Sequence, residues 1–252
     1  MPRSPRRKSR NGIYHIMLRG INRQTIFEDE LDKKRFLETI KRFKDSSKIQ
    51  IYGYCLMDNH IHLLLRETEE TVSKVIQRIS ASYVYWYNYK YERSGHLFQD
   101  RFKSENVETS RYFLTVLRYI HQNPLKAGLS NDVFTCEWTS IGEYYNNANL
   151  VDVELALHLF STDRTKATQL FTDYMQMVNE DQCLDDSIKV RMSDSEVKNY
   201  LVNLGVNSST LQQMDKQTRD AIILELKKLN GVTIRQISRI TGISKSVIDR
   251  VR

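Results

Sequence analysis

Proline and glycine are scarce, three and nine in 252 residues, which excludes collagen-like, Pro/Gly-rich and low-complexity chains. Cysteine is scarcer than any disulfide framework needs. Cys55, Cys136 and Cys183 stand far apart and form no Cys-x-x-Cys metal or redox pair, so they are expected as buried thiols. Long apolar runs are missing too: nothing approaches the roughly 18 residues of a membrane helix, and the basic N-terminus has no signal-peptide core. A cytoplasmic protein with no membrane partner is expected. Acidic residues are outnumbered, 31 Asp+Glu against 38 Lys+Arg, and the net charge of +7 favours a polyanionic partner, nucleic acid foremost. With 40% hydrophobic and 27% charged residues the chain should fold, as one catalytic-sized domain plus a small appendage.

Residues 1–10 carry Arg3, Arg6, Arg7, Lys8 and Arg10 without an acid and read as a basic disordered arm. Ile13 to Leu18 reads as a strand and Glu30 to Lys44 as a helix with Leu31, Phe36, Leu37, Ile40 and Phe43 in register. Ile49–Met57 and Ile61–Leu65 form a hairpin joined tightly through Asp58-Asn59. Thr71 to Tyr91 is an amphipathic helix, Gly95 a break, and Leu97 to Val107 another strand. The order βαββαβ predicts an α+β domain at residues 11–145 built on a ferredoxin-like antiparallel sheet, with both helices on one face and the other face free. A further helix follows at Thr109–Asn123, capped by Thr109 or Ser110 and stopped at Pro124. Residues 146–180 are expected as a helical extension, 181–193 as a linker, and 194–252 as a separate all-α module.

Two constellations could carry chemistry. In His60-Ile61-His62 the histidines lie on one side of a strand, roughly 7 Å apart, a span that one metal ion bridges. The pair reads either as two ligands or as two polar residues of a half-exposed strand. Tyr119 and Asn123, four apart, stack on one helix face. Phe113, Val116, Leu117 and Ile120 make that helix's apolar stripe, with Tyr112, Tyr119 and Asn123 along one edge. His121 points about 160° from Tyr119 at roughly 100° per residue, which makes Asn123 the preferred neighbour and leaves Gln122 open.

Three ordered blocks then matter together: Met57-Asp58-Asn59-His60-Ile61-His62-Leu63-Leu64-Leu65, Gly95-His96-Leu97-Phe98-Gln99-Asp100-Arg101-Phe102-Lys103-Ser104, and Tyr119-Ile120-His121-Gln122-Asn123-Pro124-Leu125-Lys126-Ala127-Gly128-Leu129. With Tyr14-His15-Ile16-Met17-Leu18-Arg19-Gly20 and Arg23 ahead of them, they resemble the HUH single-tyrosine transposases of IS200-like elements, closest to the REP-associated branch. The resemblance spans about residues 11–145. It implies His60 and His62 as the metal pair, Asn123 as third ligand and Tyr119 as nucleophile. It also implies Mg²⁺ or Mn²⁺, single-stranded or hairpin DNA as substrate, and a bacterial, nucleoid-associated setting. Imidazole ligands alone would equally suit zinc. Family members often carry proline where Asp58 stands, and the long C-terminus is not universal.

Attack by Tyr119 would leave a 5′-phosphotyrosine and a free 3′-OH. The sequence shows no general base for its hydroxyl. Arg19, Arg23, Arg66, Arg101, Lys103 and Lys126 are expected along the phosphate path, and Tyr85 and Tyr89 point off the apolar face, where bases could stack. In the C-terminal module, Thr233 to Val251 has helix-turn-helix spacing, with a Thr233/Gln236 capping box, small Ser238, a turn at Gly242, and Ser244 as second cap. Ile237, Ile243, Ile248 and Val251 would fill its core. Ser244, Lys245, Ser246, Asp249 and Arg250 would face a duplex groove, with Lys245 and Arg250 as the cations. A homodimer is left open. Two other readings compete with the transposase: a DNA-binding protein on a transposase-derived fold that does not cut, and a metal nuclease that uses water. A covalent protein–DNA adduct separates all three.

Overall fold

The computed structural model describes residues 6–181, 183–184, 194–206, 208–229 and 232–251, in two compact units, 1–185 and 186–252. Residues 1–5 of the expected arm and most of the expected linker, 182 and 185–193, lie outside the described residues.

In the first unit, β1 (Ile13–Arg19), α1 (Glu30–Ser47), β2 (Gln50–Met57), β3 (His60–Arg66), α2 (Val72–Lys90), β4 (Lys103–Asn106) and α3 (Ser110–Lys126) follow one another, with α4 (Glu154–His158) and α5 (Arg164–Gln176) after them. The strands form one antiparallel sheet in the order β2-β3-β1-β4. A two-residue turn, Asp58-Asn59, joins β2 to β3 and sets their register, Met57 opposite His60. Strand alternation then places Gly53, Cys55, Met57, His60, His62, Leu64, His15, Met17, Arg19, Lys103 and Glu105 on a single face. Helix α3 lies over β2 and β3. A Cβ on Gly53 would stand 2.8 Å from Leu117 Cδ1, so glycine there lets the helix approach the strand. Helices α1 and α2 pack through Phe36 and Tyr83, whose rings meet edge to face at 5.1 Å.

Four expectations need correction. The second sheet face is not free, because α3 covers it over β2 and β3. The fourth strand is only Lys103–Asn106, not Leu97–Val107; Phe98 joins the sheet through an isolated bridge to Gly20. Helix α3 does not stop at Pro124 but runs to Lys126 and ends before Gly128 at φ +70°. Proline deletes a single bond here, to the carbonyl of Ile120, and so close to the end the turn survives it. Residues 6–10 are not free either. Arg6 donates to the Phe102 carbonyl (2.6 Å) with its guanidinium 3.6 Å over the Phe102 ring, and the Arg10 amide donates to Glu108.

The second unit contains α6 (Asp194–Asn203), α7 (Ser208–Gln213), α8 (Lys216–Lys228), α9 (Ile234–Thr241) and α10 (Lys245–Arg250). Val197, Leu201, Ile223, Leu226, Ile237, Ile240, Ile248 and Val251 form its core, and Ile243 packs on it half-buried. Thr233 caps α9 by accepting from the Gln236 amide (3.2 Å). Gly242 turns the chain at φ +71°, where the Gln212 amide reaches the Thr241 carbonyl at 2.8 Å. Ser244 stands at the start of α10, yet its hydroxyl pairs with Ser246 rather than capping the helix. Among the described residues no helix is long and apolar enough to cross a membrane.

Candidate active site

The site is built where the shared sheet face meets the edge of α3. Strand pleating turns His60 and His62 to the same side, with ring centroids 5.1 Å apart. His60 is half-buried, and its Nδ1 lies 2.6 Å from Asn59 Oδ1. A carboxamide oxygen only accepts, so the His60 Nδ1 carries a proton and its Nε2 is the basic nitrogen. His62 is fully buried. Its Nδ1 lies 3.0 Å from His15 Nε2, and its Nε2 has no hydrogen-bond partner among the described residues. Burial, with the neighbouring His15, His60 and Arg19, drives the His62 imidazolium well below its usual range, so the ring is a neutral donor of a lone pair.

Helix α3 brings Tyr119 to these rings. The helix starts where Thr109 accepts from the Tyr112 amide (3.1 Å), and its stripe of Phe113, Val116, Leu117 and Ile120 is buried. Tyr119 on the neighbouring edge meets His62 and His15 edge to face, with centroids at 5.6 and 5.9 Å. Tyr119 is 5% exposed. Lys126, two turns later, places its ammonium 5.3 Å from the Tyr119 ring centroid. Asn123 follows Tyr119 by one turn and is half-buried.

The other two candidates on α3 are used structurally. His121 is fully buried on the opposite side, with Nε2 2.8 Å from Ser140 Oγ, which in turn accepts from the Tyr54 amide (2.9 Å). Desolvation there holds its pKa down to about 3. Gln122 spends its amide on the carbonyls of Met175 (2.7 Å) and Met177 (3.0 Å) and accepts from Asn179 (2.7 Å), so neither end is left for a ligand. Replacing His121 with alanine removes the tie from α3 to β2 and opens a cavity beside Tyr144 and Phe171. Urea unfolding should show a loss of about 3 kcal/mol with an unchanged slope. A variant as stable as wild type would show that the helix is held without this tie.

The cations expected on the phosphate path divide by position. Arg19, on the site face, is opposite His60, and Lys103 is opposite Met17, which is itself opposite His62. Arg23 and Arg101 are exposed. Arg23 lies beside the hairpin turn, its carbonyl accepting from Asn59 (3.4 Å). Lys126 is shared with the segment after α5, bonding Asn179 Oδ1 at 3.2 Å. Tyr85 and Tyr89 are 79% and 81% exposed. Lys245 and Arg250 are both exposed on α10.

Sequence reasoning missed His15 and Arg118. Arg118 is nearly buried on α3 and grips Asp181 through Nε (2.9 Å) and Nη2 (2.7 Å), tying the segment after α5 to the tyrosine helix. A histidine within the apolar strand Ile13–Leu18 was the available signal for His15. Among the described residues no three His, Cys, Asp or Glu side chains are arranged to hold a metal ion. A metal site on this face would need the two imidazoles plus a ligand of another type, and Asn123, one turn after Tyr119, is the candidate. The orphaned, buried, neutral Nε2 of His62 and the proton on His60 Nδ1 fit such a site.

Residues 8–123 match the family model described as "Transposase IS200 like". The structure is similar to that of a REP-associated tyrosine transposase bound to a REP hairpin, at 15% identity and a TM-score of 0.51, covering 61% of this chain and 90% of that one. It is also similar to a provisionally assigned transposase from Deinococcus radiodurans R1, at 13% identity and a TM-score of 0.35, covering 48% and 97%. No curated protein sequence matches.

Proposed function

We propose that this chain, an enzyme that belongs through residues 8–123 to the IS200-like transposases, cuts and rejoins single-stranded DNA at hairpin or repeat sequences through Tyr119. The observation that carries the reading is the meeting of Tyr119 with the His60/His62 strand on the sheet face that α3 covers. The strand order β2-β3-β1-β4 supports the ferredoxin-like architecture on which that meeting depends.

In the reaction, the Tyr119 oxygen attacks a backbone phosphorus. The O–P bond to tyrosine forms as the bond from phosphorus to the 3′ oxygen breaks, the phenolic proton is passed on, and the leaving oxygen ends as a 3′-OH. One phosphodiester replaces another, so no nucleotide need be hydrolysed, and the 3′-OH can later reverse the step at a different end. His60, His62 and Asn123 would hold a divalent ion, Mg²⁺ or Mn²⁺, which when bound polarises the phosphate and offsets the charge that develops on its oxygens. Arg19, Lys103 and Lys126, around the same face, and the exposed Arg23 and Arg101 would steer the strand. The Tyr119 hydroxyl must lose its proton at the moment of attack, and the Lys126 ammonium, 5.3 Å from the ring centroid, favours the negative charge that results.

The second unit is proposed as a duplex-binding helix-turn-helix, with α9 and α10 joined at Gly242 and the Lys245 and Arg250 side chains exposed on α10. Replacing both with alanine in the full-length protein should weaken duplex binding and flatten its log–log salt dependence by about two units, one per lost phosphate contact. Cleavage of a short single strand should stay near wild type. An unchanged salt slope would remove these residues from the interface. Nearly complete burial of Tyr119 favours one second reading, a DNA-binding protein of transposase descent that does not cut. Incubation with hairpin DNA and Mg²⁺, followed by denaturing electrophoresis, separates the two, since only the enzyme leaves a covalent adduct.

A further inference from the structure

We propose that His15 is a positioning residue for the metal site: its Nε2 accepts the His62 Nδ1 proton, and that hydrogen bond keeps the His62 Nε2 lone pair aimed at the ion. The inference rests on the metal reading given above. His15 and His62 stand diagonally on adjacent antiparallel strands, His62 being opposite Met17. Both rings are fully buried and 3.0 Å apart at the bonded nitrogens. A hydrogen bond needs one donor and one acceptor, so a single proton serves the bond between these two nitrogens.

Two arrangements of that proton exist. In the first, His62 donates from Nδ1, its Nε2 is a lone pair, and His15 carries its own proton on Nδ1. In the second, His15 donates from Nε2, and the His62 proton sits on Nε2, where no cation can be bound. Among the described residues His15 Nδ1 and His62 Nε2 have no hydrogen-bond partner, so no other bond there chooses between the arrangements. A cation at His62 Nε2 does choose, and it requires an acceptor behind Nδ1. Asn59 Oδ1 supplies the same support to His60, so each imidazole of the pair has its Nδ1 engaged. His15 Nε2, 3.0 Å from the His62 Nδ1, is placed to be the acceptor. The His15 ring also touches the nucleophile: the Tyr119 ring lies edge to face against His15 and His62 alike, so the acceptor that orients the ligand helps to seat the tyrosine.

The test uses full-length protein with ¹⁵N-labelled histidine. With saturating Mg²⁺, His62 should show its proton on Nδ1, an unprotonated Nε2, and a coupling across the hydrogen bond to His15 Nε2. By calorimetry, His15→Leu should weaken Mn²⁺ binding about 10- to 100-fold, while His15→Gln, which keeps an oxygen acceptor at the same reach, should stay within about threefold of wild type. A His62 proton on Nε2 in the Mg²⁺-saturated protein would overturn the proposal, as would wild-type Mn²⁺ affinity in a folded leucine variant. If the leucine variant is unfolded by circular dichroism, the spectrum of the wild-type protein decides alone. Failure of the metal reading looks different: wild type would bind no Mn²⁺, or His62→Ala would bind it unchanged.

Discussion

Tyr119→Phe should abolish the covalent protein–DNA adduct and lower strand cleavage by at least about 10³-fold, while hairpin affinity stays within about twofold. The phenylalanine ring keeps the edge-to-face contacts with His15 and His62 and the Lys126 contact, so the packing that seats residue 119 survives. What is lost is the hydroxyl proposed to bond to phosphorus. Tyr112 serves as the control. It lies on the same edge of α3 nearly two turns earlier, where burial and its hydrogen bonds to Glu105 and Cys183 raise its pKa far above that of an ordinary tyrosine, which makes it a poor nucleophile. Tyr112→Phe should therefore retain the adduct. Quantitative gel analysis of both variants checks the pair, and an undiminished adduct in Tyr119→Phe would remove that residue from the chemistry.

The second large effect is expected from the histidine pair. His62→Ala and His60→Ala should each weaken Mn²⁺ binding more than about 100-fold and abolish metal-dependent cleavage, because a hard divalent ion loses both a ligand and its geometry. Their stabilities should differ. His62 is fully buried and bonded to His15, so its truncation leaves a cavity and an unmatched imidazole and should cost about 3 kcal/mol. His60 is half-buried and should cost under about 1 kcal/mol. The same functional loss with unequal stability loss, measured by calorimetry and urea unfolding, distinguishes ligation from scaffolding. Equal Mn²⁺ affinity in wild type and the double variant would move the metal elsewhere.

Much of the site was legible because short periodicities carried it. The hairpin at Asp58-Asn59 and the i, i+2 spacing put both histidines on one face, and the helical wheel put Tyr119 on an edge able to meet a sheet. The wheel also turned His121 away, where it supports the Tyr54 and Ser140 backbone region. Nonlocal pairing was not legible. Whether His15 lies diagonal to His62 depends on the β1–β3 register, and the two strands are separated by α1 and β2 in the chain. The bonds of Gln122 and Arg118 likewise depend on where the segment after α5 returns, some 55 to 63 residues later. Pro124 misled for a simpler reason: a proline in the last turn removes one bond where few remain to be lost.

The most direct measurement of the central claim is the identity of the DNA-linked residue. Full-length protein, a hairpin with a single-stranded flank, and Mg²⁺ would be incubated, and the adduct digested and sequenced by tandem mass spectrometry. The nucleotide should be found esterified to Tyr119 through its 5′ phosphate, with the released strand ending in a 3′-OH. A nucleotide on any other residue, or cleavage to free 5′ phosphates without an adduct, would contradict Tyr119 as the nucleophile.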